Sequence, residues 1–512
     1  MRDTTSSLQI PFIGFNITQR YSQVNLLPLL GFWGPWFCIG AASLILMATE
    51  HEDHAFRTIS IGTITFFAFA AHLIARGAFH DPLHPDILLT VGHLAQFVVP
   101  SIIFATGVFD DIISPHTWQV RPYFPYAVFG ALVGQTFFNL PFWLMPPKKR
   151  QLTLLKHMGV PVLIFALGFV VLSARFIIMI TGTYFHDNPS AFMFTPAFSP
   201  LAIFDTVGTI ITAYAALRVI SAGKLLKEKL ATTYLILEIL WHLPSGKREG
   251  LFLAILCIIM ALIFIQKKVR LRYVAIFAVL VLFIGAYLGL YRDYKAQYLF
   301  GKKVSIKKAF TYASEEGQRL GLKPVINIAL DRLNDGQYAA GCFMNVPDNH
   351  PFLEGGTYKM ILWIPIPRVV YPPRPQFIVN YYGLFQPWVT WSSAPVTTVG
   401  EAYINFGWLG IPLVFLALGC IYRAMDSVFR SRLSYVEAAI LIFYSTLLIR
   451  MMVNPAVSHL SWMLKILALL AASRILTHIA VKFDLGFYLR SRFRPVIAKH
   501  ELVVDALQEG ES

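Results

Sequence analysis

About twelve apolar runs, most of them long enough to cross a lipid bilayer, follow one another along this chain, and that succession restricts it to a bundle of membrane helices. The runs lie near 24–47, 58–77, 86–107, 123–146, 155–181 and 199–221, then 231–243, 249–266, 272–291, 402–423, 435–453 and 460–480. The seventh, 231–243, is the shortest. With 56% of residues hydrophobic and 14% charged, a soluble fold could not hide the apolar surface.

The net charge of +15 would suit a nucleic-acid partner if it lay along one face. Instead the cations fall in short clusters between apolar runs: Lys148–Lys149–Arg150, Lys224–Lys227–Lys229, Lys267–Lys268–Arg270–Arg272, Arg423–Arg430–Arg432 and the tail from Lys482 to Lys499. Short loops rich in Lys and Arg stay cytoplasmic, and with twelve spans every cluster falls on one side. Deleting the short seventh run would move the later clusters to the other side. Both termini are then expected in the cytoplasm, and a long outer loop separates the ninth and tenth spans. The polar start, Met1–Gln23, shows no small-residue cleavage pattern ahead of the first apolar run, so no removable signal peptide is expected. The four cysteines are scattered, which indicates neither a disulfide framework nor a metal site.

The expected architecture is therefore an all-α polytopic membrane protein of about twelve transmembrane helices. Spans 1–9 fill residues 1–291, a large outer loop 292–400, spans 10–12 residues 401–481, and a basic cytoplasmic tail 482–512. The loop is too long for a connector and too apolar to be disordered. Helices are expected around Ser305–Leu320 and Pro324–Ala339, and Tyr358–Pro367 reads as an amphipathic stretch lying on the membrane surface or re-entering it.

Several polar residues need a reason for their position. Arg175 lies inside the fifth run, where an unpaired charge would cost about 2.5–3.5 kcal/mol, so it either binds a ligand or pairs with a carboxylate such as Glu238 in the seventh span. Lys247 and Arg248 place positive charge in a short outer turn, suited to a diphosphate or, equally, to lipid headgroups. In the outer loop His350, Arg368 and Arg374 are able to do acid–base or anion work, and Glu401 sits where the tenth span begins. Glu401 reads either as a partly desolvated functional carboxylate or as one placed on a helix dipole. Aromatic residues crowd the loop, among them Tyr358, Tyr371, Tyr381, Tyr382, Phe385, Trp388 and Trp391. They suit stacking on sugar rings or an interfacial belt. No Walker-type glycine loop is present.

The run Asp331–Arg332–Leu333, then Glu354–Gly355–Gly356–Thr357–Tyr358, Ile364–Pro365–Ile366–Pro367–Arg368 and Pro373–Arg374–Pro375 resembles the outer loop of Wzy-type oligosaccharide repeat-unit polymerases. Gly400–Glu401–Ala402–Tyr403–Ile404–Asn405–Phe406–Gly407–Trp408–Leu409–Gly410 resembles that family's lead into the next span. These elements cover about a sixth of the chain. The resemblance implies a glycosyltransferase of the bacterial inner membrane that moves a growing glycan from undecaprenyl diphosphate to another lipid-linked repeat unit, its loop periplasmic. It implies no metal, no cofactor and no nucleic acid, with a flippase and a chain-length regulator as working partners. Lys247, Arg248, Arg332 and Arg175 would bind diphosphate, with Arg368 on the departing group. Glu401 or His350 would serve as base, and Tyr358, Tyr382, Trp388 and Trp391 would hold glycan. An O-antigen ligase shares these features, and a transporter of polysaccharide or lipid-linked sugar is the rival from another class.

Overall fold

A computed structural model describes residues 26–77, 83–107, 119–145, 161–180, 199–223, 228–245, 248–266, 306–320, 336–363, 396–429, 433–451 and 456–482. Almost everything described is helical. Six helices among the described residues are long and apolar enough to cross a membrane: Pro28–Ala48, His54–Ala75, Pro85–Ala105, Arg121–Leu144, Thr397–Val428 and Ala456–Ile475. Shorter apolar helices occupy Ile164–Ile177, Thr206–Ala222, Gly250–Gln266 and Tyr435–Ile449. The protein is thus an all-helical membrane protein, and the ninth run, 272–291, lies outside the described residues. The short seventh run forms a helix of 17 residues, Lys229–Ser245.

The helices sort into two groups joined by a shared one. The first group is α1 (Leu26–Ala48), α2 (His54–Ala75), α3 (Pro85–Ala105) and α4 (Phe124–Leu144). The second is α5 (Pro161–Ile180), α6 (Ser199–Ala222), α7 (Lys229–Ser245) and α8 (Arg248–Gln266). In the outer-loop region, α9 spans Ile306–Leu320, as expected, while the second helix, α10, is Gly336–Asn345 rather than Pro324–Ala339. After it come α11 (Thr397–Phe406), α12 (Gly410–Val428), α13 (Tyr435–Met451) and α14 (Ala456–Lys482). Helix α12 packs along α4 in the first group, whereas α13 touches α3, α6, α8 and α14 and so ties the groups together.

Small residues set these packings. A methyl group on Gly419 of α12 would lie 2.4 Å from the Phe138 carbonyl oxygen of α4, and one on Gly92 of α3 would lie 2.9 Å from that of Ile449 on α13. Backbones approach this closely only where a side chain is missing, the usual way membrane helices gain contact when lipid is as apolar as they are. Large side chains such as Phe37, Leu44, Met47, Phe67 and Leu413 face outward, as a lipid-facing surface requires. Within α3 the helix widens to a π turn over Leu94–Val98 just ahead of Pro100, whose ring nitrogen cannot bond the Gln96 carbonyl.

The tenth run is not one straight span. Gly407 adopts φ +62°, ψ −152°, a region open essentially to glycine alone, and there the chain turns between α11 and α12. Thr398 of α11 and Tyr422 of α12 both hydrogen-bond the ring of His459, each at 3.0 Å. In an unbroken helix these two would lie about 36 Å apart. Helix α11 therefore rises inside the bundle and α12 descends beside it. Helix α10 runs alongside α11, Cys342 and Ala339 packing against Gly400 and the Tyr403 hydroxyl donating to the Val346 carbonyl at 3.1 Å. Both short helices are buried almost throughout, so this part of the expected outer loop is core rather than a cap. Irregular backbone at such depth is tolerated where protein surrounds it.

Candidate functional site

The two stretches that carry the family resemblance meet in space. The Leu353 amide donates to the Ile404 carbonyl at 2.8 Å and the Glu354 amide to the Asn405 carbonyl at 3.1 Å, zipping the loop onto the end of α11. The Asn405 side chain completes the seam, its Nδ2 donating to the Thr357 hydroxyl and to the Glu401 carbonyl, each at 2.8 Å. Glu354 and Gly355 take positive φ to make this turn. Tyr358 follows it and stacks on Phe406 at 5.8 Å.

Glu401 lies beneath this seam, fully buried. Its Oε2 accepts the Ala456 amide at the start of α14, while Oε1 has no hydrogen bond within normal distance from any described residue. The Thr357 hydroxyl and the Val457 amide also face the carboxylate. A buried carboxylate oxygen without a donor costs about 1–3 kcal/mol, and such a cost is usually tolerated for function. The Tyr358 hydroxyl close by is also buried without a partner among the described residues. Burial, and then the charge of Glu401, push that phenol well above its ordinary pKa, so it remains a donor at any physiological pH. Four residues before Glu401, Thr397 holds φ +60° although β-branched, its Oγ1 accepting the Gly400 amide at 3.1 Å. Strain of this kind, about 1–3 kcal/mol, accumulates at sites that need an exact geometry.

Arg175 takes the second of its two expected roles. Its Nη1 donates to both oxygens of Glu238, at 2.8 and 3.0 Å, with both side chains buried. Tyr234 Oη and His242 Nε2 complete the carboxylate's surroundings, each at 3.4 Å. Gly208 of α6 leaves the room, since a methyl there would sit 2.4 Å from Arg175 Nη2. The guanidinium expected to bind diphosphate is thus committed to a carboxylate within the second helix group.

Arg248 begins α8, and Lys247 precedes it outside the described residues. His350 follows α10 on the turn leading to the seam, its amide donating to the Asn345 carbonyl. Arg332, Arg368, Tyr382, Trp388 and Trp391 lie outside the described residues. The structure therefore brings Glu401 and Tyr358 together and sets Arg175 apart.

Sequence reasoning missed two polar groups in the first helix set. At mid-bundle His93 Nδ1 pairs with Gln135 Oε1 at 2.6 Å, and Gln135 Nε2 reaches Thr90 and Asn139 at 3.0 and 2.7 Å. At the end away from the seam, Asp86 gathers Arg76 at 2.6 Å, His72 at 3.5 Å and His84, whose other nitrogen lies 3.5 Å from Asp426. The signal was available as single histidines, aspartates and a glutamine set in apolar runs.

No known protein family matches the chain, and no curated protein or solved structure is similar to it at a significant level.

Proposed function

We propose that this protein is a polymerase of lipid-linked oligosaccharide repeat units, a multi-pass enzyme of about twelve spans in the bacterial inner membrane, with its seam facing the periplasm. It would transfer the growing glycan from undecaprenyl diphosphate to another lipid-linked unit. One observation supports the reading above others. The Glu354–Tyr358 and Gly400–Gly410 stretches, separate in sequence and both similar to the polymerase family, are hydrogen-bonded into a single seam over a buried carboxylate with an open oxygen.

In this reading Glu401 Oε1 accepts the proton of the acceptor hydroxyl as that oxygen attacks the anomeric carbon of the donor. His350, on the same turn, is the other candidate for proton transfer. The bond to the diphosphate breaks as the new glycosidic bond forms, and the leaving group carries the negative charge. Arg368, Arg332, Arg248 and Lys247 would meet that charge, since guanidinium forks donate paired hydrogen bonds to phosphate oxygens. Tyr358, Tyr382, Trp388 and Trp391 would supply flat surfaces for sugar rings. A flippase would deliver the donor, and a chain-length regulator would act on the product.

The test is the size distribution of surface glycan from cells lacking the gene, complemented with wild type, Glu401→Gln or Arg368→Ala. Wild type should restore long polymer and both variants should leave single repeats. Unchanged polymer in the deletion strain, with no redundant enzyme, would overturn the reading. Loss of all glycan from the lipid core would favour the ligase instead.

A further inference from the structure

The polar groups in the first helix set form a line through the bundle. At the seam Glu401 and Thr398 lie three residues apart on α11, hence on one face. Thr398 Oγ1 meets His459 Nε2, and His459 Nδ1 meets Tyr422 Oη, both at 3.0 Å. His459 is near enough to His93 for the charge of one to act on the other. From His93 the contacts pass to Gln135 and Asn139, and Asn139 shares a crevice with His72. His72, Asp86, His84 and Asp426 then follow in sequence at the opposite end.

We propose that this line is a proton-conducting route across the bundle, with His459, His93, His72 and His84 as the exchanging groups. Three observations support it. First, acids and imidazoles alternate, and each imidazole can accept a proton on one nitrogen while releasing one from the other. Second, the line is fully interior: Thr398, His459, Gln135, His93, His72 and Asp86 are all inaccessible to solvent, so it cannot be a surface feature. A stretch of buried polar side chains is expensive in a membrane protein and typically marks an ion or proton path. Third, His93 sits against the rings of Phe69, Phe97 and Phe415 at 6.1, 5.4 and 5.8 Å, and its Nε2 is buried without a hydrogen-bond partner among the described residues. Three aromatic rings leave no passage for a hydrated cation, while a proton needs only the nitrogen.

The charges around the line suit that ligand. Arg76 and Arg423 stand beside Asp86 and Asp426, two cations against two anions, so the far end is close to neutral and an arriving proton is the net charge carried. At the near end Tyr358 and Cys342 are the titratable neighbours of Glu401. Within α3 the π turn starts at Leu94, directly after His93, a distortion that frequently accompanies a functional side chain.

The test uses the full chain in liposomes that enclose a pH-sensitive dye, with a potassium gradient and valinomycin setting the interior negative. Wild type should acidify the lumen faster than protein-free vesicles, at a rate unchanged when sodium or chloride is replaced. His459→Gln and His93→Leu should fall to the vesicle background, while Phe37→Ala on the lipid-facing side should keep the wild-type rate. Wild-type flux equal to that of empty vesicles would overturn the route, as would full flux in both histidine variants. If a histidine variant does not elute as a single species, the wild-type comparison decides alone. No glycan enters the assay, so its outcome is independent of the polymerase reading.

Discussion

Two buried glutamates of this protein are treated in opposite ways. Glu238, in the second helix group, has both oxygens bonded by the Arg175 guanidinium and is approached by Tyr234 and His242. Glu401, in the first, holds one backbone amide and leaves its other oxygen without a hydrogen bond from any described residue. A carboxylate with its valences filled is locked, and its contribution is to hold α5 against α7. One with a valence open is held in place yet still able to take a partner. The contrast separates a structural charge from a functional one more clearly than burial does, because both side chains are almost wholly inaccessible.

The comparison breaks most easily at Glu238. Glu238→Ala strands the Arg175 guanidinium in the interior, and removal of one partner from a buried pair costs about 3–5 kcal/mol. The expected result is a large drop in thermal midpoint for the protein in detergent, followed by tryptophan fluorescence. The double variant Arg175→Met with Glu238→Leu should recover most of that loss, since well-packed apolar groups replace such pairs at little net cost. If the double variant is as unstable as the single one, the pair is doing something beyond packing and the diphosphate role for Arg175 returns.

Next in size are two glycines that hold the regions in shape. Gly208→Ala places a methyl where the Arg175 guanidinium lies, and overpacking of this kind costs about 1–3 kcal/mol. Gly407→Ala forces an L side chain into the backbone region that lets α11 turn into α12, at a similar cost of about 1–3 kcal/mol. The two should differ in function. Gly208→Ala should lower only the thermal midpoint, whereas Gly407→Ala should also lower polymer length, because it shifts the helix that carries Glu401.

The sequence shows the second region better than the first. Arg175 and Glu238 were readable as partners because a charge in an apolar run must be answered, and these two sit on the fifth and seventh runs. Helix α9 also lies where its apolar spacing places it. The turn at Gly407 was not readable. Hydropathy averages over a window of residues, and Thr397–Val428 averages as a single long span although the chain reverses within it. The burial of α10 escaped for a related reason, since Gly336–Asn345 carries polar residues and lies in a stretch otherwise read as an outer loop. Glu401 was picked out by position and chemistry, but its open oxygen depends on which backbone amides arrive from α14, and no local pattern specifies that. The polar line through His93 and His459 was visible only as single residues whose meeting depends on how α3, α4, α12 and α14 pack.

The smallest expected effect on stability is at Glu401, and it is the most informative for that reason. Glu401→Gln keeps the shape of the side chain. Its amide oxygen can still accept the Ala456 amide, while the new nitrogen turns toward the side that already lacks a donor. One hydrogen-bond arrangement is exchanged for a similar one, so the change in unfolding free energy should stay within about 1 kcal/mol. Glu238→Gln, by the same chemical change, removes the charge that answers Arg175 and should cost clearly more. The two variants compared by thermal midpoint and by polymer length should therefore cross over: Glu238→Gln less stable with some polymer retained, Glu401→Gln near wild-type stability with polymer lost. If Glu401→Gln instead loses stability and keeps its polymer, the carboxylate is part of the scaffold and the seam above it is packing.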